Sequence, residues 1–285
     1  MTPFLRAGRQ AAALSVAGSD SGGNAGIQAD IRAFHAFGVH ACTAVAALTA
    51  QNPSGVFAVE TPAPEFVARQ IEAVLSAYSV GAAKTGMLAS APVVRAVAGV
   101  FRAAGGAAPP LVVDPVMVAT SGAPLLASDA ASSLRDELLP LAALATPNVP
   151  EAEALSGLGR IASAPDMARA ARAIAARAGC AVLVKGGHRA GAEADDFLCV
   201  PEEGEWWLSA PVVEAPLSTH GTGCSLSAAA AAALARGEML LAAVAAAKAY
   251  VFGAIRAAVP VGPGAAVLGF ADPEAALSEI SVRRA

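Results

Sequence analysis

Short runs of apolar residues alternate along this chain with longer stretches in which apolar positions recur every three or four residues. The short runs read as strands buried on both faces, the longer stretches as helices with one packed side. Residues 12–17 make the first strand and stop at Gly18-Ser19-Asp20-Ser21-Gly22-Gly23. A helix follows over 25–37, with Ile27, Ile31 and Phe34 on one face and Gly38 closing it. The same pattern predicts strands at 41–48, 80–84, 111–113, 144–146 and 181–185. It predicts helices at 65–77, 93–102, 130–139, from 152 onward, and at 165–178. Residues 196–200 and 206–213 read as a pair of edge strands around Glu202-Glu203-Gly204, with Trp206 and Trp207 as packing residues. Two long helices, 224–236 and 240–258, come next. Residues 260–269 look like a loop and 273–280 like a last helix.

Strand-then-helix alternation implies an α/β fold, a three-layer sandwich with a mostly parallel central sheet and helices on both faces. No repeat or linker divides the chain, so residues 1–285 are expected to form one domain, with 1–11 as a flexible N-terminal extension. In such sheets ligands bind beyond the carboxyl ends of the strands. The polar and glycine-rich segments GSDSGG, KTGM, DPVM, TPNVPE, KGGH and THGTGC all fall at those ends.

Composition narrows the class. Of 285 residues, 55% are hydrophobic, and the net charge is −4 with no basic block, which argues against nucleic acid. The alanine-rich stretches near 228–235 and 241–247 are broken by Arg236, Glu238 and Lys248 and are too weakly apolar to span a membrane. Cys42, Cys180, Cys199 and Cys224 form neither a CxxC pair nor a zinc spacing, and read as reduced thiols of a cytoplasmic protein.

The chemistry centres on Ser218-Thr219-His220-Gly221-Thr222-Gly223-Cys224-Ser225, where small residues open a helix. A helix start offers unpaired N–H groups and a positive dipole end, a place for an anion or a phosphoryl group. The same dipole would favour a Cys224 thiolate. Cys224 is open to three readings: core residue, nucleophile with His188 or His220, or acceptor of a substrate hydroxyl proton. There is no GxxxxGK[ST] and no GxGxxG after the first strand, which speaks against P-loop and dinucleotide folds. Asp30 reads either as an exposed helix carboxylate or as a substrate contact. Gln51 could read a heterocycle, Asn52 reads as a turn residue before Pro53, and Met87 could pack on a flat ring. Asp114 and Glu151, at two strand ends, suit Mg²⁺ held largely by phosphates and water. Lys185 ends a buried strand and needs either a phosphate or a carboxylate partner.

Taken in order, Gly18 to Asp30, Ala47-Leu48-Thr49-Ala50-Gln51-Asn52, Lys84-Thr85-Gly86-Met87, Asp114-Pro115-Val116-Met117, Thr146 to Glu151, Lys185-Gly186-Gly187-His188 and Thr219 to Cys224 closely resemble the hydroxymethylpyrimidine/phosphomethylpyrimidine kinases of thiamine biosynthesis, within the ribokinase-like superfamily. The resemblance runs from about residue 12 to 258. It implies ATP- and Mg²⁺-dependent phosphorylation of 4-amino-5-hydroxymethyl-2-methylpyrimidine and then of its monophosphate. It implies Cys224 as the base, with Gly221, Thr222 and Gly223 as the anion hole. Gly18, Asp30, Gln51, Met87 and Val116 match the pyrimidine pocket. Asp114, Asn148, Glu151, Lys185, Gly187 and Thr219 match the side that holds nucleotide and Mg²⁺, with no direct protein cage for the metal. A homodimer is expected from the resemblance alone. The alternatives are a pyridoxal kinase and a non-catalytic pyrimidine-binding relative. Asn24 departs from the glycine expected at its place.

Overall fold

The structure is a computed structural model that describes residues 10–117, 130–187, 193–214, 217–263 and 265–285. The chain runs β1 (Ala12–Asp20), α1 (Gly26–Ala36), β2 (His40–Asn52), β3 (Gly55–Glu60), α2 (Pro64–Ala77), β4 (Val80–Thr85), α3 (Ala91–Ala104), β5 (Leu111–Val113), α4 (Ala130–Ser133) and β6 (Leu144–Ala145). It continues with α5 (Val149–Ser156), α6 (Ala164–Ala178), β7 (Ala181–Lys185), β8 (Glu193–Val200), β9 (Gly204–Pro211), α7 (Thr222–Ala235), α8 (Leu240–Arg256), β10 (Val259–Gly262), β11 (Ala265–Val267) and β12 (Ser281–Arg284).

Ten strands form one sheet in the order β12-β9-β8-β7-β6-β5-β4-β1-β2-β3. Its centre, from β2 to β7, is parallel, while β3, β8, β9 and β12 join antiparallel. Successive residues of the central strands enter opposite cores, as a period of two demands. Leu14, Val16, Leu111, Val113, Val182 and Val184 pack with α2, α3, α5 and α6. Ala13, Val112, Ala181 and Leu183 pack with α1, α7 and α8. This is the three-layer α/β arrangement that the alternation predicts.

The alanine run Ala228–Ala233 of α7 is fully buried, because the helix is covered on every side. Only small side chains allow that approach. A Cβ on Gly81 of β4 would stand 2.7 Å from the Ala235 carbonyl oxygen of α7.

Five expectations change. Residues 260–269 are not a bare loop: β10 and β11 pair as a hairpin. The last helix is replaced by a 3₁₀ turn over Leu277–Glu279 and by β12. β12 pairs with β9, whose outer edge would otherwise leave a row of backbone groups unpaired. For the same reason β8 and β9 are not an edge pair. The helix expected at 130–139 is α4 followed by a π-helical turn, Leu134–Leu138, with Pro140 closing off any regular continuation. The fold also takes hold before residue 12, since Ala11 is in the core and its carbonyl accepts from the His40 amide at 2.7 Å. The rest of the expected extension, 1–9, lies outside the described residues. Trp206 and Trp207 pack as expected, Trp207 edge-on to Phe197 with ring centres 4.8 Å apart.

Candidate active site

A cleft of about 440 Å³ opens at the carboxyl ends of the parallel strands. One side is the loop after β1. Asp20 organises it: its carboxylate accepts from the amides of Gly22, Asn24 and Ala25 at 2.7, 2.9 and 2.8 Å. Burial opposes the Asp20 charge, but bonds from His220, Ala25, Gln51 and Gly22 outweigh it and hold the carboxyl down at about 2. His220 Nε2 lies 3.8 Å from that carboxylate, linking the first loop to the loop before α7. Gly221 sits at φ +88°, and a Cβ there would collide with the Asn24 carbonyl. Glycine is therefore required at Gly221 by both conformation and space.

The start of α7 forms another part of the cleft wall. The first backbone bond of the helix runs from the Ser225 amide to the Gly221 carbonyl at 2.9 Å, so the amides of Gly223 and Cys224 precede the ladder. Thr222 Oγ1 donates to the Thr219 carbonyl at 2.9 Å and closes the turn. A Cβ on Gly223 would lie 3.3 Å from Lys185 Nζ, which places the ammonium beside those amides.

The Cys224 thiol does not behave as the helix start suggested. Its pKa is pushed up to about 11. Burial is the main cause, Asp30 and Asp114 add to it, and Lys84 and the Gly26 amide counter it only in part. The dipole of α7 is outweighed by removal of the thiolate from water.

On the far wall, Asp114 follows β5. Its Oδ1 accepts from Lys185 Nζ at 2.9 Å and its Oδ2 from Ser227 Oγ at 3.1 Å. Lys185 has therefore found a carboxylate partner and still lines the cleft. Asn148 and Glu151 form a capping box at the start of α5, with reciprocal bonds of 2.9 and 2.8 Å. Burial raises the Glu151 carboxyl to about 7; Asp114 adds to the rise and Lys185 opposes it. The carboxylates here are largely engaged by protein donors, and among the described residues no group of three His, Cys, Asp or Glu could hold a metal.

Gly18, Gln51, Met87, Val116, Asp114, Asn148, Glu151, Lys185, Gly187, Thr219 and Gly221 to Cys224 all line this cleft. Met87 packs over Gly18, where an added Cβ would meet its sulfur at 3.2 Å. Asn52 is a turn residue, as read, its Oδ1 accepting from the Ser54 amide at 2.8 Å. Asp30 is the exception. It is neither exposed nor part of the cleft lining, but fully buried, accepting from Lys84 Nζ at 2.8 and 2.9 Å and from Ser15 Oγ at 2.5 Å. A lysine that has to enter the interior with β4 requires that partner. His188 lies outside the described residues. Asn24 keeps the loop without a left-handed φ. Its Nδ2 reaches the Ala266 carbonyl of β11 at 3.5 Å, and its buried Oδ1 has no hydrogen-bond partner among the described residues.

Sequence reading passed over four contributors. Asp20 stands out in the sequence only as part of the GSDSGG segment and His220 only as a partner for the thiol. Ser227 is four residues past Gly223, so helical spacing could have placed it on the same face. Lys248 was visible as a lone charge in the apolar run of α8.

The chain is similar to known kinases. The model of the family described as phosphomethylpyrimidine kinase matches residues 20–268. A hydroxymethylpyrimidine/phosphomethylpyrimidine kinase of Rhizobium meliloti is 49% identical over 249 residues, covering 87% of this chain and 91% of that protein. The crystal structure of a phosphomethylpyrimidine kinase from Clostridium difficile superposes with a TM-score of 0.75 at 38% identity, covering 86% of this chain and 100% of that one. A Staphylococcus aureus pyridoxal kinase in complex with AMP-PCP superposes with a TM-score of 0.85 at 28% identity, covering 97% and 99%.

Proposed function

The chain belongs to the phosphomethylpyrimidine kinase family, and from that premise we propose how its residues carry the transfer. It is a hydroxymethylpyrimidine/phosphomethylpyrimidine kinase of thiamine biosynthesis. The reaction moves the γ-phosphoryl of ATP to the pyrimidine hydroxymethyl group and then to the resulting monophosphate. The observation that carries the residue assignment is the meeting, in one cleft, of the amides at the start of α7, the Cys224 thiol and the Asp114–Lys185 pair.

The pyrimidine lies between Met87, Gly18 and Val116, where Gln51 offers both a donor and an acceptor to the ring. The amides of Gly223 and Cys224, with Gly221 and Thr222 shaping the turn, face the transferring phosphoryl and stabilise its charge without reorganising. Lys185 supplies a fixed positive charge beside them, held by Asp114, which in turn accepts from Ser227 Oγ. Cys224 accepts the hydroxyl proton. It does so from its thiolate form, a small fraction at neutral pH because burial raises the thiol to about 11, so the rate of transfer should climb as pH rises and that fraction grows. Asp114 and Glu151 are the carboxylates nearest to a Mg²⁺ site, and the ion would neutralise charge on the β- and γ-phosphates. Thr219, Asn148 and Gly187 border the same end.

A second reading, pyridoxal phosphorylation, draws on the close superposition with the pyridoxal kinase. An ADP-release assay with the pyrimidine alcohol, its monophosphate and pyridoxal side by side separates the readings. Turnover of both pyrimidines is expected. Faster turnover of pyridoxal would reverse the preference, and binding without turnover would leave only a pyrimidine-binding protein.

We also read the molecule as a single domain that pairs as a homodimer in the cytoplasm. One sheet takes strands from both ends of the chain, β1 and β12, which supports the single domain. The outer edge of β3, unpaired among the described residues, with exposed Phe57, Val59 and neighbouring Leu48, supports the dimer. Four free cysteines, three of them buried, support a reducing compartment. Among the described residues, no helix is long and apolar enough to cross a membrane.

A further inference from the structure

The end of the cleft away from the pyrimidine wall is built from β8, β9, α7 and α8. Its lining there is apolar, from Ala210, Val212, Leu226, Val251 and Phe252, with one polar interruption, the pair Asp196 and Lys248. Lys248 Nζ donates to Asp196 Oδ2 at 2.6 Å, and both residues are buried. Asp196 Oδ1 accepts from the Gly186 amide at 2.9 Å. The carboxylate thus ties α8 to the glycine pair that follows β7.

Packing alone does not account for this pair. A buried ion pair is a weak source of stability, and apolar residues of similar size would fill the space at least as well. An ammonium has three donors. Among the described residues, Lys248 spends one, on Asp196. Its nitrogen belongs to a residue that lines the cleft, in a wall that offers a flat ring apolar surface but little else to orient it. The phosphates have their own donors at the start of α7 and at Lys185.

We propose that Lys248, positioned by Asp196, is a nucleotide-contact residue that hydrogen-bonds the nucleoside part of ATP. The inference rests on the kinase reading above. Asp196 acts through Lys248 and through the Gly186 loop, and so is a positioning residue.

The test compares the wild-type protein with K248M and with the charge-free pair K248M/D196N, which leaves no buried charge unmatched. Calorimetric binding of AMP-PCP should weaken about tenfold or more in both variants, the loss expected for a hydrogen bond from a charged group. The KM for the pyrimidine alcohol should stay within twofold. Inhibition by inorganic tripolyphosphate should also stay within twofold, because it lacks the nucleoside. An AMP-PCP affinity within twofold of wild type in a K248M/D196N protein with an unchanged circular dichroism spectrum would overturn the inference. Parallel losses for AMP-PCP and tripolyphosphate would overturn it as well, by moving the contact to the phosphates. Wild-type protein that binds no AMP-PCP would instead sink the kinase reading itself.

Discussion

Cys224 sets the behaviour of the site at the scale of single residues. With its thiol pushed up to about 11, it is protonated at neutral pH. Alkylation of Cys224 by iodoacetamide, followed by peptide mass mapping, should keep accelerating beyond pH 9. A plateau at pH 8 would mean that the helix dipole wins after all. Replacing the thiol, Cys224→Ala, should lower kcat by about 10²–10⁴-fold while AMP-PCP binding persists. Glu151 adds a second titration. Its carboxyl is raised to about 7 by burial first, so the fold favours the neutral form. The stability it contributes is present below the ordinary carboxyl range and lost as pH rises through 7. Its service to Mg²⁺ has the opposite sign. The Mg²⁺ concentration needed for half-maximal rate should fall as pH rises from 6 to 8, and should become flat with pH in Glu151→Gln. Asp20 is the mirror case: lowered to about 2, it stabilises the fold above pH 4 and that support fades as pH falls through 2.

At the scale of elements, α7 shows what the chain made legible and what it hid. The motif from Thr219 to Cys224 announced a helix start, because glycine, threonine and a small side chain gather where the amides must stay open. Its environment was less visible. An alanine run reads equally as a solvent-facing helix or as one enclosed by neighbours, and only the approach of Gly81 to Ala235 decides it. Because there is no room beside it, Ala231→Leu should cost about 1–3 kcal/mol, seen as a lower midpoint in urea at unchanged slope. Asp30 was misjudged for a related reason. Its spacing from Ile27 and Phe34 sets it on the packed face of α1, but a lone carboxylate reads as exposed, and the partner that draws it inside, Lys84, comes 54 residues later. β12 escaped notice because four residues with little alternation carry no signal of their own; the open edge of β9 recruits them. The capping box of α5 was readable as residue types, whereas its link to Asp114 through shared electrostatics was not.

Across the whole molecule, the parallel centre of the sheet determines where chemistry can occur, since every contributing loop leaves the same side. The antiparallel additions finish the edges unequally. Among the described residues the outer strands are β12 at one edge, SVRR with only Val282 apolar, and β3 at the other, with Phe57 and Val59 exposed. If a second copy covers that edge, light scattering should give twice the chain mass for the wild type. Phe57→Asp should shift the population toward the single-chain mass at micromolar concentration. A wild type that elutes as one chain would remove the dimer.

The contact between Gly221 and the Asn24 carbonyl brings two loops nearly 200 residues apart into backbone touch, with no side chain between them. Neither loop can then be exchanged as a separate cassette. Transplanting the first loop from a relative with a different acceptor would carry over the ring contacts but misfit the helix start that must seat the phosphate. Retargeting this scaffold to a new alcohol therefore requires moving both segments together, as one interlocking part.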